Sequence, residues 1–205
     1  MIKIDVKAIR KEVQKYHEEI RKKKVLPFFQ GLTFVSTLND HTRNIRTFKI
    51  TDIKSLEEVP SQQGFYIIFS NINHEINDCT AIFNDLPDKT IKAIYRGEGN
   101  KVRSRLKSHL FNDLYSTDFE KANKTSIKKS NKKTKSESNF YSTTLSIEGS
   151  KVNIDKKPHN KFEWYVVYIA APKSNQNVRN MYEDSFDQVF GKPKYSKEKK
   201  LKLLK

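Results

Sequence analysis

The chain has 205 residues, a formal net charge of +16 and one cysteine. That length suits one domain with elaborations and a real hydrophobic core. The lone Cys79 excludes an internal disulfide and a cysteine-ligated zinc site. The excess positive charge calls for a polyanion, nucleic acid first, because phosphate contacts dominate such binding.

The opening stretch, MIKIDVKAIRKEV, is charged from its start and holds no apolar signal region. No apolar run approaches membrane-spanning length. No strongly apolar amphipathic helix carries Trp or Leu anchors beside lysines, which disfavours a membrane surface as partner. The expectation is a cytoplasmic protein in a reducing compartment. Residues 5–24 read as a helix with Asp5 as its cap and an apolar stripe of Ile9, Val13, Tyr16 and Ile20. Pro27 should end it. The stripe is expected to pack on the body of the same chain; a dimer contact or a DNA-embracing arm is the alternative.

Residues 28–60 are mixed, with short strands expected in GLTFVSTLN and TRNIRTFKITD. GFYIIFS, residues 64–70, is β-branched and aromatic and follows a polar turn, so it reads as a strand. Residues 71–90 read as a connecting loop. KAIYRG is the second strand, expected beside the first and broken by Gly97 and Gly99. Asn100 should cap a helix over 101–114, where Val102, Leu106 and Leu110 recur every four residues. Between Lys121 and Lys135 stand seven lysines and no acid, among Ser, Asn and Thr. This composition reads as a loop, serving either solubility or phosphate contact. FYSTTLSI suggests a strand of an inserted hairpin. FEWYVVYIAA, residues 162–171, is the clearest strand, and 176–190 reads as the last helix, capped at Asn175 or Asn177 and closed at Gly191. The tail from Lys192 onward carries seven lysines and one glutamate. Strand, strand, helix, strand, helix predicts an α+β fold: a small three-stranded sheet flanked by helices, with an N-terminal helical arm, a lysine-rich insert and a basic tail. The expected divisions are 1–60, an N-terminal elaboration; 61–196, the core, with an insert at 117–160; and 197–205, the tail.

Tyr66 and Tyr95 fall on the two expected neighbouring strands, Arg105 and His109 share a helix face, and Glu183 lies on the last helix. Hydrolysis of a phosphodiester needs an activated water and neutralisation of the phosphate. A guanidinium fork suits the second task, and a carboxylate holding a hydrated Mg²⁺ suits both. A free tyrosine, with a pKa near 10, is a poor base; nearby cations can lower that pKa, or the hydroxyl can merely orient the water. Taken singly, each residue has an ordinary role: strand tyrosines, solvated cations, a surface histidine, and Glu183 paired with Arg179 four residues before it. Arg103 is the alternative phosphate arginine, and Asp184 and Asp187 are the alternative ligands.

Taken together, these segments resemble the GIY-YIG nuclease family. Gly64-Phe65-Tyr66 stands for GIY and Tyr95-Arg96-Gly97 for YIG. Arg105 and His109 follow Tyr95 by ten and fourteen residues, and Glu183 precedes Gly191-Lys192-Pro193. The resemblance spans 64–196 apart from the insert. Arg96 departs from it, standing where an apolar residue is usual, and so does Ser196, where many members carry asparagine. The resemblance implies a metal-dependent endonuclease on double-stranded DNA, with catalytic Tyr66, Tyr95, Arg105, His109 and Glu183, and with Glu183 holding Mg²⁺ or Mn²⁺. It implies that one tyrosine helps to generate the nucleophile; Tyr66 is assigned that part and Tyr95 positioning. Lys101, Arg103, Lys107, Lys128, Lys129, Lys132 and Lys133 are the candidate DNA contacts. A type II restriction-type enzyme, acting as a homodimer, is the expectation. The alternatives are a homing, repair or mobile-element nuclease, an RNA-cleaving toxin and a non-catalytic basic nucleic-acid-binding protein.

Overall fold

The computed structural model describes residues 5–32, 44–72, 77–83, 85–111 and 145–196. The fold is α+β, built on a five-stranded antiparallel sheet in the order β1-β7-β2-β4-β3. The three strands expected from sequence are its adjacent middle members: β2 (Gly64–Ser70), β4 (Leu86–Gly99) and β7 (Trp164–Ala170). Their near-continuous apolar runs follow from burial on both faces. β1 (Ile45–Lys49) extends the sheet beside β7.

Beyond β4 lies β3 (Thr80–Phe83), so residues 71–90 are not simply a connecting loop. The polar LPDKT that suggested a loop is the exposed first part of β4, which turns back along β3. The β2–β4 register slips by one residue, with Ile68 opposite Tyr95 but Phe69 opposite Ala93. Ile94 is therefore surplus, a β-bulge.

One core lies under α3 (Val102–Leu110) and contains Tyr66, Ile68, Ile94, Tyr95, Leu106 and Tyr168. The helix ends by Phe111, and Asn100 does not cap it: Lys101 holds the cap position without a side-chain bond. A hairpin of β5 (Ser146–Ile147) and β6 (Ser150–Lys151) borders this core. The remainder of FYSTTLSI, the insert from 121 to 135 and the tail beyond 196 lie outside the described residues. So does all of GLTFVSTLN beyond Leu32.

The opposite core gathers Phe29, Phe65, Ile67, Phe69, Ala93, Val167, Met181 and Phe186. Its roof is the last helix, α4 (Gln176–Phe190), and the short α2 (Leu26–Gln30). Asn175 caps α4 by accepting from the Val178 amide at 3.0 Å, and Gly191 closes it at φ 76°.

The N-terminal helix departs from expectation twice. First, Pro27 does not end it. α1 (Val6–Ile20) runs through a π-helical turn, Arg21–Val25, into α2. A proline inside a helix clashes with the carbonyl four residues before it, and the widened turn just ahead of Pro27 relieves that conflict. Second, the stripe does not pack on the body. Ile9, Val13 and Tyr16 are 53%, 47% and 63% exposed. Only Ile20, at the end, reaches the core. Arg21 anchors the junction, donating to Glu18 at 2.7 and 2.8 Å and to Gln188 on α4 at 2.8 Å. Asp5 caps α1 as expected, accepting from the Lys7 and Ala8 amides.

Candidate active site

The second half of β4 offers each face of the sheet a different set of groups. Tyr95, Gly97 and Gly99 turn toward α3, whereas Arg96 and Glu98 turn toward α4. On the α3 side, Tyr66 on β2 stacks on Tyr95 with ring centroids 6.2 Å apart. His109 of α3 places Nε2 2.7 Å from the Tyr66 hydroxyl and its ring 4.6 Å from that of Tyr95. Gly97 lies opposite Tyr66, and a Cβ there would stand 2.6 Å from the hydroxyl. Gly99 does the same for Arg105, whose Cδ would be 2.6 Å from an added Cβ. Both glycines thus make room for side chains to lie across the strand.

Tyr66, Tyr95, Arg105 and His109 therefore gather on the α3 side of β4, while Glu183 stands on the α4 side and reaches the tyrosines through its charge. His109 is buried and not a surface histidine. Burial pushes the Tyr66 and Tyr95 hydroxyls above the usual tyrosine range. Arg105 pulls both down and Glu183 pushes both up. Arg105 does lower both values, as a neighbouring cation should, but burial outweighs it and the net shift is upward. Burial also opposes the charge on Arg105, but Tyr66, Tyr95 and Glu98 outweigh it and raise its pKa. Arg105 remains 30% exposed along its side chain, the most open of the five.

On the α4 side, Glu183 does not pair with Arg179. Arg96 reaches Glu183 at 3.2 Å and also holds Asp187 through a bidentate contact. Arg179 instead donates to Glu98 at 2.7 Å, with both side chains buried. Glu98 also stands 4.0 Å from Arg105, linking the two sides. Sequence reading missed this network of Arg96, Glu98, Arg179 and Asp187. The signal was present: two charged residues in the apolar strand AIYRGEG need buried partners. The partners come from a helix about 80–90 residues away, which no local pattern reveals.

Arg103 donates to the Val59 carbonyl at 2.7 Å, so its guanidinium is committed to the fold. Lys101 is exposed and Lys107 half-buried. Lys128, Lys129, Lys132 and Lys133 lie outside the described residues. Among the described residues no group of three or more His, Cys, Asp or Glu could enclose a metal, and no helix is long and apolar enough to cross a membrane. A single carboxylate still suits a largely hydrated Mg²⁺, and the charge of Glu183 reaches both tyrosine hydroxyls.

In comparisons with known proteins, no family model, no curated protein and no solved structure matches this chain.

Proposed function

We propose that the protein is a metal-dependent endonuclease of GIY-YIG type that hydrolyses phosphodiester bonds in double-stranded DNA, in the manner of a restriction enzyme. The observation that carries this reading is the meeting of Tyr66, Tyr95, Arg105 and His109 on one side of β4 with Glu183 approaching from the other. A protein that only bound nucleic acid would have no need of this set.

Arg105, the most open member, receives the phosphate. Its planar fork donates to two non-bridging oxygens and stabilises the charge that builds there during attack. The tyrosine hydroxyls stay protonated at neutral pH, because burial holds their pKa up. Neither therefore acts as a preformed tyrosinate. Tyr95 orients the attacking water. Tyr66 accepts the water's proton at its hydroxyl oxygen as its own proton passes to His109 Nε2, 2.7 Å away; the water oxygen bonds to phosphorus as the P–O bond to the leaving oxygen breaks, and that oxygen takes a proton from solvent. Glu183 would hold the divalent ion, which when bound supplies charge neutralisation and lowers the pKa of a coordinated water. Arg96 competes for the same carboxylate.

That competition favours one second reading, a non-catalytic DNA-binding protein in which Arg96 permanently neutralises Glu183. The test is incubation of supercoiled plasmid and genomic DNA with the full chain in Mg²⁺, Mn²⁺ or EDTA, beside Arg105→Ala and Glu183→Gln. Discrete metal-dependent fragments from the unaltered chain alone are expected. Retarded but uncut DNA with every divalent ion would leave the second reading.

A further inference from the structure

We propose that α1 forms a parallel two-stranded coiled coil with α1 of a second copy of this chain. The inference does not depend on the nuclease reading. Every residue from 5 to 16 is exposed, and α1 has no buried residue at all. A helix of this length gains little stability by itself in water. Yet its apolar residues are strictly spaced. Val6, Ile9, Val13, Tyr16 and Ile20 follow at three, four, three and four, which is the a/d seam of a heptad repeat. Val6 and Val13 take the a positions, where β-branched residues favour two strands. Ile9 and Tyr16 take d. Val6 is 55% exposed, like its seam neighbours, so nothing among the described residues covers the stripe. A seam only two residues wide per heptad is narrower than the face a helix lays on a globular core.

The flanking charges choose the partner and its direction. The g positions are Asp5, Glu12 and Glu19; the e positions are Arg10 and His17. In a parallel pair each g residue faces the e residue five positions on in the other strand. That juxtaposes Glu12 with His17, an acid with a ring N–H donor, while Asp5, opposite Arg10, is engaged with the Lys7 and Ala8 amides as the cap of α1. In an antiparallel pair g faces g and e faces e, which sets acid against acid and base against base. One edge acidic and the other basic is the pattern of a helix complementary to its own copy. The seam stops where Arg21 turns onto Gln188 of α4 and the π turn breaks the heptad, so the dimer carries the two bodies side by side at one end.

Two heptads make a weak dimer, so association is sought over about two decades of protein concentration reaching well above the micromolar range. Sedimentation equilibrium of the full chain from about 5 to 500 µM covers that span. The expected result is a monomer–dimer equilibrium, weakened at least about tenfold by Val13→Asp. Val13 is exposed in the single chain, so near-UV circular dichroism should stay unchanged. Glu12→Lys should weaken the dimer, and adding His17→Glu should restore it by placing a lysine opposite a glutamate. A chain that stays monomeric throughout overturns the proposal, as does a dimer indifferent to Val13→Asp. A dimer tightened by Glu12→Lys overturns the parallel orientation.

Discussion

Gly97 and Gly99 occupy similar positions on β4, yet substitution should separate them. At Gly97 a methyl group meets both the hydroxyl and the Cζ of Tyr66, a ring fully buried between β2 and α3. That ring cannot swing away, so Gly97→Ala should cost about 1–3 kcal/mol in urea unfolding. At Gly99 the methyl meets the aliphatic stem of Arg105, which can move. Gly99→Ala should change stability by less than about 0.5 kcal/mol while lowering the cleavage rate by about 10–100-fold through misplacement of the guanidinium. Arg96→Leu tests the competition for Glu183. It removes the cation that Glu183 and Asp187 share, and should lower the melting temperature. Added Mg²⁺ should then raise that temperature more than it does for the unaltered chain, because the ion binds only the folded form. The tyrosines make an alkaline prediction. Their folded pKa lies above the ordinary 10.0, so the folded chain keeps protons that the unfolded chain releases. Their contribution is complete below pH 10 and declines as pH rises beyond it. Tyr66→Phe should flatten that decline when unfolding free energy is followed from pH 9 to 11.

At the scale of elements, the α4 cap gives the cleanest test. Asn175→Ala removes the acceptor for the Val178 amide and should cost about 1 kcal/mol. Glu183 sits two turns inside, so cleavage by the folded variant should be unaffected. This cap, both flanking helices and the three middle strands were legible in sequence because their signals are local: a polar residue before an apolar period, or an unbroken β-branched run. β3 was not, since TAIF is only four residues long and is followed by a polar stretch. The fate of the α1 stripe was not legible either. Periodicity reports that Ile9, Val13 and Tyr16 share a face; it does not report what that face meets. The candidate site divides the same way. Spacing on one strand–turn–helix unit brought out Tyr95, Arg105 and His109, while the pairing of Arg96 with Glu183 depends on where α4 lands.

At the scale of the whole molecule, charge should govern binding. With 40 Lys and Arg against 24 Asp and Glu, affinity for a DNA duplex should fall steeply with salt. A loss of about 10³-fold or more between 50 and 200 mM is expected if six or more phosphates are contacted. Fluorescence anisotropy measures it. Removing the 121–135 stretch should reduce the slope if those lysines share in the contact, and leave it unchanged if they serve only solubility.

The surplus Ile94 carries a consequence of another kind. A regular strand has parity: odd positions see one side and even positions the other. Before the bulge, Ile91 and Ala93 share the α4 core; after it, Tyr95 shares the α3 core. One inserted residue has reversed the parity of everything downstream. Excising Ile94 would set Ala93 directly before Tyr95, and the regular alternation would then keep every downstream side chain on the side it now occupies. The exchange of faces would come instead from ironing the bulge flat with Ile94 retained, which would turn Tyr95 and the two glycines toward α4 and present Arg96 and Glu98 to His109.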